Sequence, residues 1–136
     1  MITIALQINA MRSVAYACFT EPSHIKQWYF ASDDWHAPEV RNDLRIGGSF
    51  LIRMEEKSGA AGFDFEGTYT ELIDGERIVY KLADGRTVVT TFKSVDGGTE
   101  ISQTFDVEDE NSAEAQRIGW QAILNNYKRH CEQAPQ

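Results

Sequence analysis

Thr90 and Gln103 are polar residues in runs that are otherwise apolar at every second position of a 136-residue chain. Pairing the runs as a hairpin, with Val95 against Gly98, sets the Thr90 hydroxyl directly across from the Gln103 amide. A buried hydroxyl and amide must find partners or cost about 1 to 3 kcal/mol each. They either satisfy each other or, with Gln116 further on, offer hydrogen bonds to a bound molecule. Tyr69, Tyr80 and His36 are the groups that could act as acid or base if a reaction were catalysed.

Other arrangements are weaker. His24, His36 and His130 fall on a helix, on a loop or edge strand, and at the end of the chain. No two of them share ligand spacing such as i, i+4 on one helix, so no metal is expected. Cys18 and Cys131 lack metal spacing as well and read as packing residues. Asp33 and Asp34 are adjacent in a loop, where paired carboxylates rarely enter one pocket. The glycines of "NDLRIGGSF" read as a strand-entry turn rather than a phosphate cradle, because no helix N-terminus follows them. No Ser-His-Asp or Cys-His arrangement follows from spacing, and no cofactor is expected.

A formal charge of -8 repels phosphate backbones and anionic lipid, which argues against nucleic acid and membrane surfaces as partners. No apolar run approaches the roughly 20 residues that span a bilayer. The first residues lack the basic segment of a signal peptide, so a cytoplasmic protein without membrane insertion is expected. The length suits one domain over residues 1–136.

The elements that must position these residues are legible from periodicity. "ITIALQIN" alternates as a half-buried strand, and "AMRSVAYACF" and "TEPSHIKQWY" follow at helical spacing, with Pro22 near a first turn. Pro38 confines "WHAPEV" to an edge strand or loop. Asp74-Gly75, Asp84-Gly85 and Asp96-Gly97 then punctuate β-rich runs, the pattern of an antiparallel meander. Setting Met54 opposite Phe65, Ile73 opposite Glu76, and a three-residue turn at Ala83–Gly85 puts Phe50, Ile52, Met54, Phe65, Gly67, Tyr69, Ile78, Tyr80, Leu82, Val88, Thr90, Phe92, Ile101, Gln103 and Phe105 on one face. It also pairs Arg53 with Glu66 on the wet face.

"EAQRIGWQAILNNYKRH" predicts a final helix of about twenty residues, opened by a capping box at Asn111 and Glu114. Ala113, Gln116, Trp120, Ile123, Leu124, Tyr127 and Cys131 form its buried stripe. Gly119 costs about 1 kcal/mol of helix propensity, which suggests that an aromatic or a loop comes close to the backbone there. Ile118 and Ala122 face outward, a spot through which a homodimer could form.

This order of elements resembles the helix-grip fold of the START-like (SRPBCC) superfamily: α+β, with a curved antiparallel sheet wrapped around a long C-terminal helix and two short helices after the first strand. "FTEPSHIKQW", "NDLRIGGSFLIRM", "FDFEGTYTEL", "ERIVYKLADGRTV" and the last helix resemble the activator of heat-shock ATPase homologue family from about Ile4 to Glu132. The resemblance implies a small hydrophobic molecule held between sheet and helix. A chaperone partner is not expected, because that activity belongs to relatives in which such a domain is joined to a client-facing one.

The expected function is non-catalytic carriage or sensing of a lipid, polyketide-like or aromatic molecule. Trp35, Phe50, Ile52, Met54, Phe65, Gly67, Tyr69, Tyr80, Thr90, Phe92, Gln103, Gln116, Trp120 and Ile123 form the expected site, with Gly67 leaving a gap at its centre. A cyclase or hydrolase on the same fold is the alternative, and a chaperone-associated interaction module is a third.

Overall fold

Apolar side chains at alternate positions commit seven stretches of this chain to strands with one dry face, and the dry faces close over a single core. A computed structural model describes residues 1–133; residues 134–136, the end of the expected domain, lie outside the described residues. The chain opens with β1 (Ile2–Ile8), followed by helices α1 (Arg12–Thr20) and α2 (Pro22–Ile25). Six strands follow: β2 (Trp35–Asn42), β3 (Ser49–Glu56), β4 (Gly62–Ile73), β5 (Arg77–Leu82), β6 (Thr87–Val95) and β7 (Gly98–Phe105). Helix α3 (Ala113–Gln133) ends the described chain. The seven strands form one antiparallel sheet in the order β1-β7-β6-β5-β4-β3-β2, so the first strand and the proline-bearing β2 are its two edges.

The turns behave as their residues dictate. Gly75, Gly85 and Gly97 all take positive φ in the three Asp-Gly turns, a conformation open to glycine at no steric cost. Val95 pairs with Gly98, and Leu82 N–H donates to the Arg86 carbonyl at 2.8 Å across the three-residue turn. Two registers differ from expectation. Met54 faces Phe63 rather than Phe65, because the β3–β4 ladder runs on to Glu55 and Gly62 and leaves a tighter loop. Arg53 therefore meets Asp64, not Glu66, and its Nε also binds Glu55 at 2.9 Å. Ile73 faces Arg77 rather than Glu76, and a bulge between Tyr69 and Glu71 absorbs the extra residue, so Tyr69 still faces Tyr80. A slip of two residues keeps every side chain on its own face, and a bulge restores parity where the slip is one.

The two-residue slip changes what lies beside Gly67. Its partner is Phe50 rather than Ile52, and the Phe50 ring covers the glycine so closely that an added Cβ would sit 2.6 Å from Cε2. The expected central gap is filled by an aromatic ring. Phe50 in turn meets Tyr80 edge-on, with ring centroids 4.7 Å apart.

Helix α3 is fixed at its C-terminal half. Leu124, Tyr127 and Cys131 are buried, the Tyr127 hydroxyl donates to the Ala15 carbonyl at 2.7 Å, and Asn126 Nδ2 donates to the Phe30 carbonyl at 2.6 Å. Trp28 fills the space between Phe19 and Tyr127 and donates its indole N–H to the Cys18 carbonyl. The helix begins one residue later than expected. Ser112 is the cap, accepting the Ala115 N–H at 3.1 Å, while Asn111 is held by Glu108.

Because the Phe50 ring occupies the space over Gly67, Gly67→Ala should destabilise the protein by about 1 to 3 kcal/mol through overpacking. Adding Phe50→Leu should recover part of that loss. Urea unfolding of the two single variants and the double variant measures both effects, and additive losses would contradict the contact.

Candidate functional site

The N-terminal half of α3 is held less tightly than its C-terminal half. Trp120 and Ile123 are only partly buried, and beneath them opens a cavity of about 470 Å³, within the range of small-molecule sites. Four parts of the fold wall it. Tyr29 to Ser32 and Trp35 come from the segment entering β2, Met54 from β3, Phe63 and Phe65 from β4, and Gly119, Trp120 and Ile123 from α3. Arg86, Glu108, Asn111 and Gln116 complete the lining.

The aromatic side chains brace one another. Trp120 stacks on Phe105 with centroids 4.3 Å apart and planes 11° from parallel. Its edge meets Phe65 at 6.1 Å, and Phe65 packs on Tyr29 at 5.8 Å. Trp35 meets Phe63 at 5.9 Å. Such pairs gain about 0.5 to 1.5 kcal/mol beyond area burial, so these rings form a preformed wall.

Gly119 does not receive a close neighbour. Nothing lies within 4 Å of where its Cβ would be, so the expected approach of an aromatic or a loop is absent and the glycine instead leaves the helix wall of the cavity bare. The cost in helix propensity goes with open space rather than with packing.

Polar groups are few. Arg86 is the only cation of the lining, and its Nε is held by Asp84 at 2.7 Å. Gln116 lines the cavity with its hydrogen bonds already spent: Oε1 accepts the Glu108 N–H, and Nε2 donates to the carbonyls of Glu108 and Asn111. It ties the β7–α3 loop to the helix rather than facing a guest. Asn111 also holds the Glu108 carboxyl below the usual carboxylate range through its side-chain hydrogen bond.

Of the expected site residues, Trp35, Met54, Phe65, Gln116, Trp120 and Ile123 meet around this cavity. Phe50, Ile52, Tyr69 and Tyr80 surround a separate space of about 30 Å³, large enough for little more than a water. Phe92 is covered by Tyr16 and Phe19 of α1. Thr90 and Gln103 do face each other, with Gln103 Nε2 donating to Thr90 Oγ1 at 3.2 Å, and they satisfy each other away from the cavity. Gly67 lies under Phe50. The expected site spanning the whole sheet is thus split, because α1 and the Phe50 ring fill its centre.

The groups considered for acid-base work are poorly placed for it. Burial pushes the phenols of Tyr69 and Tyr80 up, away from the range a base needs near neutral pH. Tyr69 donates to Asn42 Oδ1 at 2.6 Å. His36 lies beside Glu55, with Nε2 3.8 Å from its carboxylate, and is not part of the cavity wall.

The family model described as Activator of Hsp90 ATPase homolog 1-like protein matches residues 9–132. The chain belongs to this family. It is similar to the AHSA1-like protein from Aeromonas hydrophila, solved in solution by NMR, with 36% identity, 99% of each chain covered and a TM-score of 0.88. A solution structure from Cytophaga hutchinsonii is 39% identical, covering 96% of this chain and 91% of that one with a TM-score of 0.83. A crystal structure from Chromobacterium violaceum, 23% identical with 98% of each chain covered, shares the fold with a TM-score of 0.87. No curated protein matches the chain. No described helix is long and apolar enough to cross a membrane.

The cavity residues missed in sequence had partial signals. Arg86 has the same parity as Val88, Thr90 and Phe92 and could have been placed on the inner face by extending the alternation past the turn. Phe63 needed the correct β3–β4 register. Tyr29 to Ser32 carried no periodic signal, since they belong to an irregular segment.

Gly119→Ala should stabilise the protein by up to about 1 kcal/mol, because the added methyl meets no neighbour and helix propensity improves. Thermal and urea unfolding measure this, and a destabilised variant would show that the space beside Gly119 is already filled.

Proposed function

We propose that this chain binds a small, largely apolar molecule with a planar or aromatic portion, in the cavity between β3–β4 and the N-terminal half of α3. The observation that carries this reading is a cavity of about 470 Å³ walled by aromatic rings, with its helix side left bare at Gly119. Burial of apolar area drives the binding. Indole and phenyl faces suit flat guests. Arg86, the one cation of the lining, orients a carboxylate or carbonyl at the rim. The site is read as a carrier or sensor rather than a catalyst, since the buried phenols have pKa values pushed upward and no histidine lines the cavity. The resemblance of the fold to START-like ligand binders supports the same reading.

The test uses the two cavity tryptophans, Trp35 and Trp120, as reporters, Trp28 being buried apart from them. Fatty acids, flavonoids and polycyclic aromatic acids are titrated while tryptophan emission and thermal unfolding are followed. A binder present at 100 times its Kd should stabilise the fold by about 2.7 kcal/mol. Gly119→Leu should abolish that stabilisation while melting no lower than the wild type. Undiminished affinity in Gly119→Leu, or no response to any compound class, would refute the cavity as a binding site.

Arg86→Met should weaken carboxylate-bearing compounds by about tenfold or more while leaving neutral compounds of the same shape nearly unchanged. Equal losses for both classes would show that Arg86 contributes packing and not recognition.

A further inference from the structure

Spacing in sequence separates His24 from His130, and the fold reverses that. Helices α1, α2 and α3 converge so that one nitrogen of each imidazole and the Cys18 sulfur lie within 4.8 Å of one another. His24 Nδ1 and His130 Nε2 are 2.8 Å apart, with ring centroids at 5.1 Å. We propose that Cys18, His24 and His130 form a site for a borderline-soft divalent cation of the zinc class, distinct from the aromatic cavity.

The donor set and its surroundings support this. One thiolate and two imidazoles are the ligand types that zinc prefers, and three protein donors leave a fourth tetrahedral position for water or an incoming ligand. Two nitrogens bound to one zinc at about 2.0 to 2.1 Å stand a little over 3 Å apart, so the pair need only open slightly. Glu21 Oε2 lies 3.4 Å from His24 Nε2. That contact favours the tautomer with its proton on Nε2, which leaves Nδ1 free to ligate, the carboxylate–histidine arrangement seen around metal ligands. His130 then ligates through Nε2 with its proton on Nδ1. Only His130 has to move its ring proton, from Nε2 to Nδ1, and the Cys18 thiol releases one proton per ion bound.

His24 and His130 are only half-buried, which gives an ion a route to the buried sulfur. The site sits about 15 Å along α3 from Trp120, at the anchored end of the helix. An ion there would join α3 to α1 and α2.

The experiment uses the full chain, reduced and without a polyhistidine tag, titrated with CoCl2 and ZnCl2. Cobalt should give a thiolate-to-metal charge-transfer band and zinc should raise the melting temperature. Cys18→Ser should remove the band, and His24→Gln and His130→Gln should each weaken zinc binding by more than about tenfold. The half-buried histidine variants keep the test decisive if Cys18→Ser folds poorly. Absence of the charge-transfer band in the wild type would overturn the proposal. So would a band that depends on Cys131 rather than Cys18, or zinc stabilisation that survives the double histidine variant.

Discussion

The anchoring of one half of α3 is the constraint on which the rest of the molecule depends. Leu124, Tyr127 and Cys131 are sunk into the core, and the hydroxyl of Tyr127 and the amide of Asn126 are hydrogen-bonded to backbone carbonyls of Ala15 and Phe30. A rigid helix fixed at one end cannot also follow a curved sheet at the other. The helix packs mainly against β1 and α1, and its first turns stand off from β3 and β4. The gap that results is too large for Trp120 and Ile123 to fill, so it persists as a cavity rather than as packing. A helix bedded evenly along its length would have closed it.

The sheet contributes the opposite wall by curling, and its curvature has identifiable causes. The bulge between Tyr69 and Glu71 bends β4 and restores the inward parity of Leu72 opposite Ile78. Gly67 lets the Phe50 ring come close over the backbone of the neighbouring strand, an arrangement in which an aromatic shields a glycine that would otherwise expose main chain. That ring, together with Tyr69 and Tyr80, plugs the middle of the sheet. Phe63, Phe65 and, stacked on Trp120, Phe105 are left to face the helix. The aromatic residues of the inner face thus divide into those that fill space and those that border it, according to whether α1 or α3 lies above them.

That division explains how much could be read from the chain. The order of elements, the antiparallel meander, the inner face and the pairing of Thr90 with Gln103 all followed from alternation of two and from Asp-Gly turns. These are local signals that survive a two-residue slip. The position of the cavity did not follow, because it depends on the angle at which α3 leaves its anchor and on an irregular segment, Tyr29 to Ser32, with no period. Gly119 was visible as an anomaly, but its meaning reversed: the missing Cβ faces a void, and nothing in sequence distinguishes a void from a close approach. The contact of His24 with His130 spans 106 positions and arises only where α2 meets the end of α3, so no spacing rule could register it.

The distribution of polar groups then bears on what the cavity can do. Buried polar side chains in the middle of the fold are spent on one another or on the backbone: Gln103 on Thr90, Tyr69 on Asn42, Thr99 on the Ala10 carbonyl. Among the described residues no buried side-chain polar atom lacks a partner. Groups engaged in this way hold the scaffold rigid and would have to break a hydrogen bond to act on a guest. Arg86, by contrast, lies at the cavity wall with only part of its donor fork taken by Asp84, since a guanidinium carries five N–H groups. With the interior's own polar groups satisfied, the cavity is left with a wall of braced aromatic rings and one cation in its lining. Tyr29 and Glu108 are the groups with acid-base chemistry in the cavity lining, while Tyr69 and Tyr80 lie in the plugged centre of the sheet and Cys18, His24 and His130 at the anchored end of the helix.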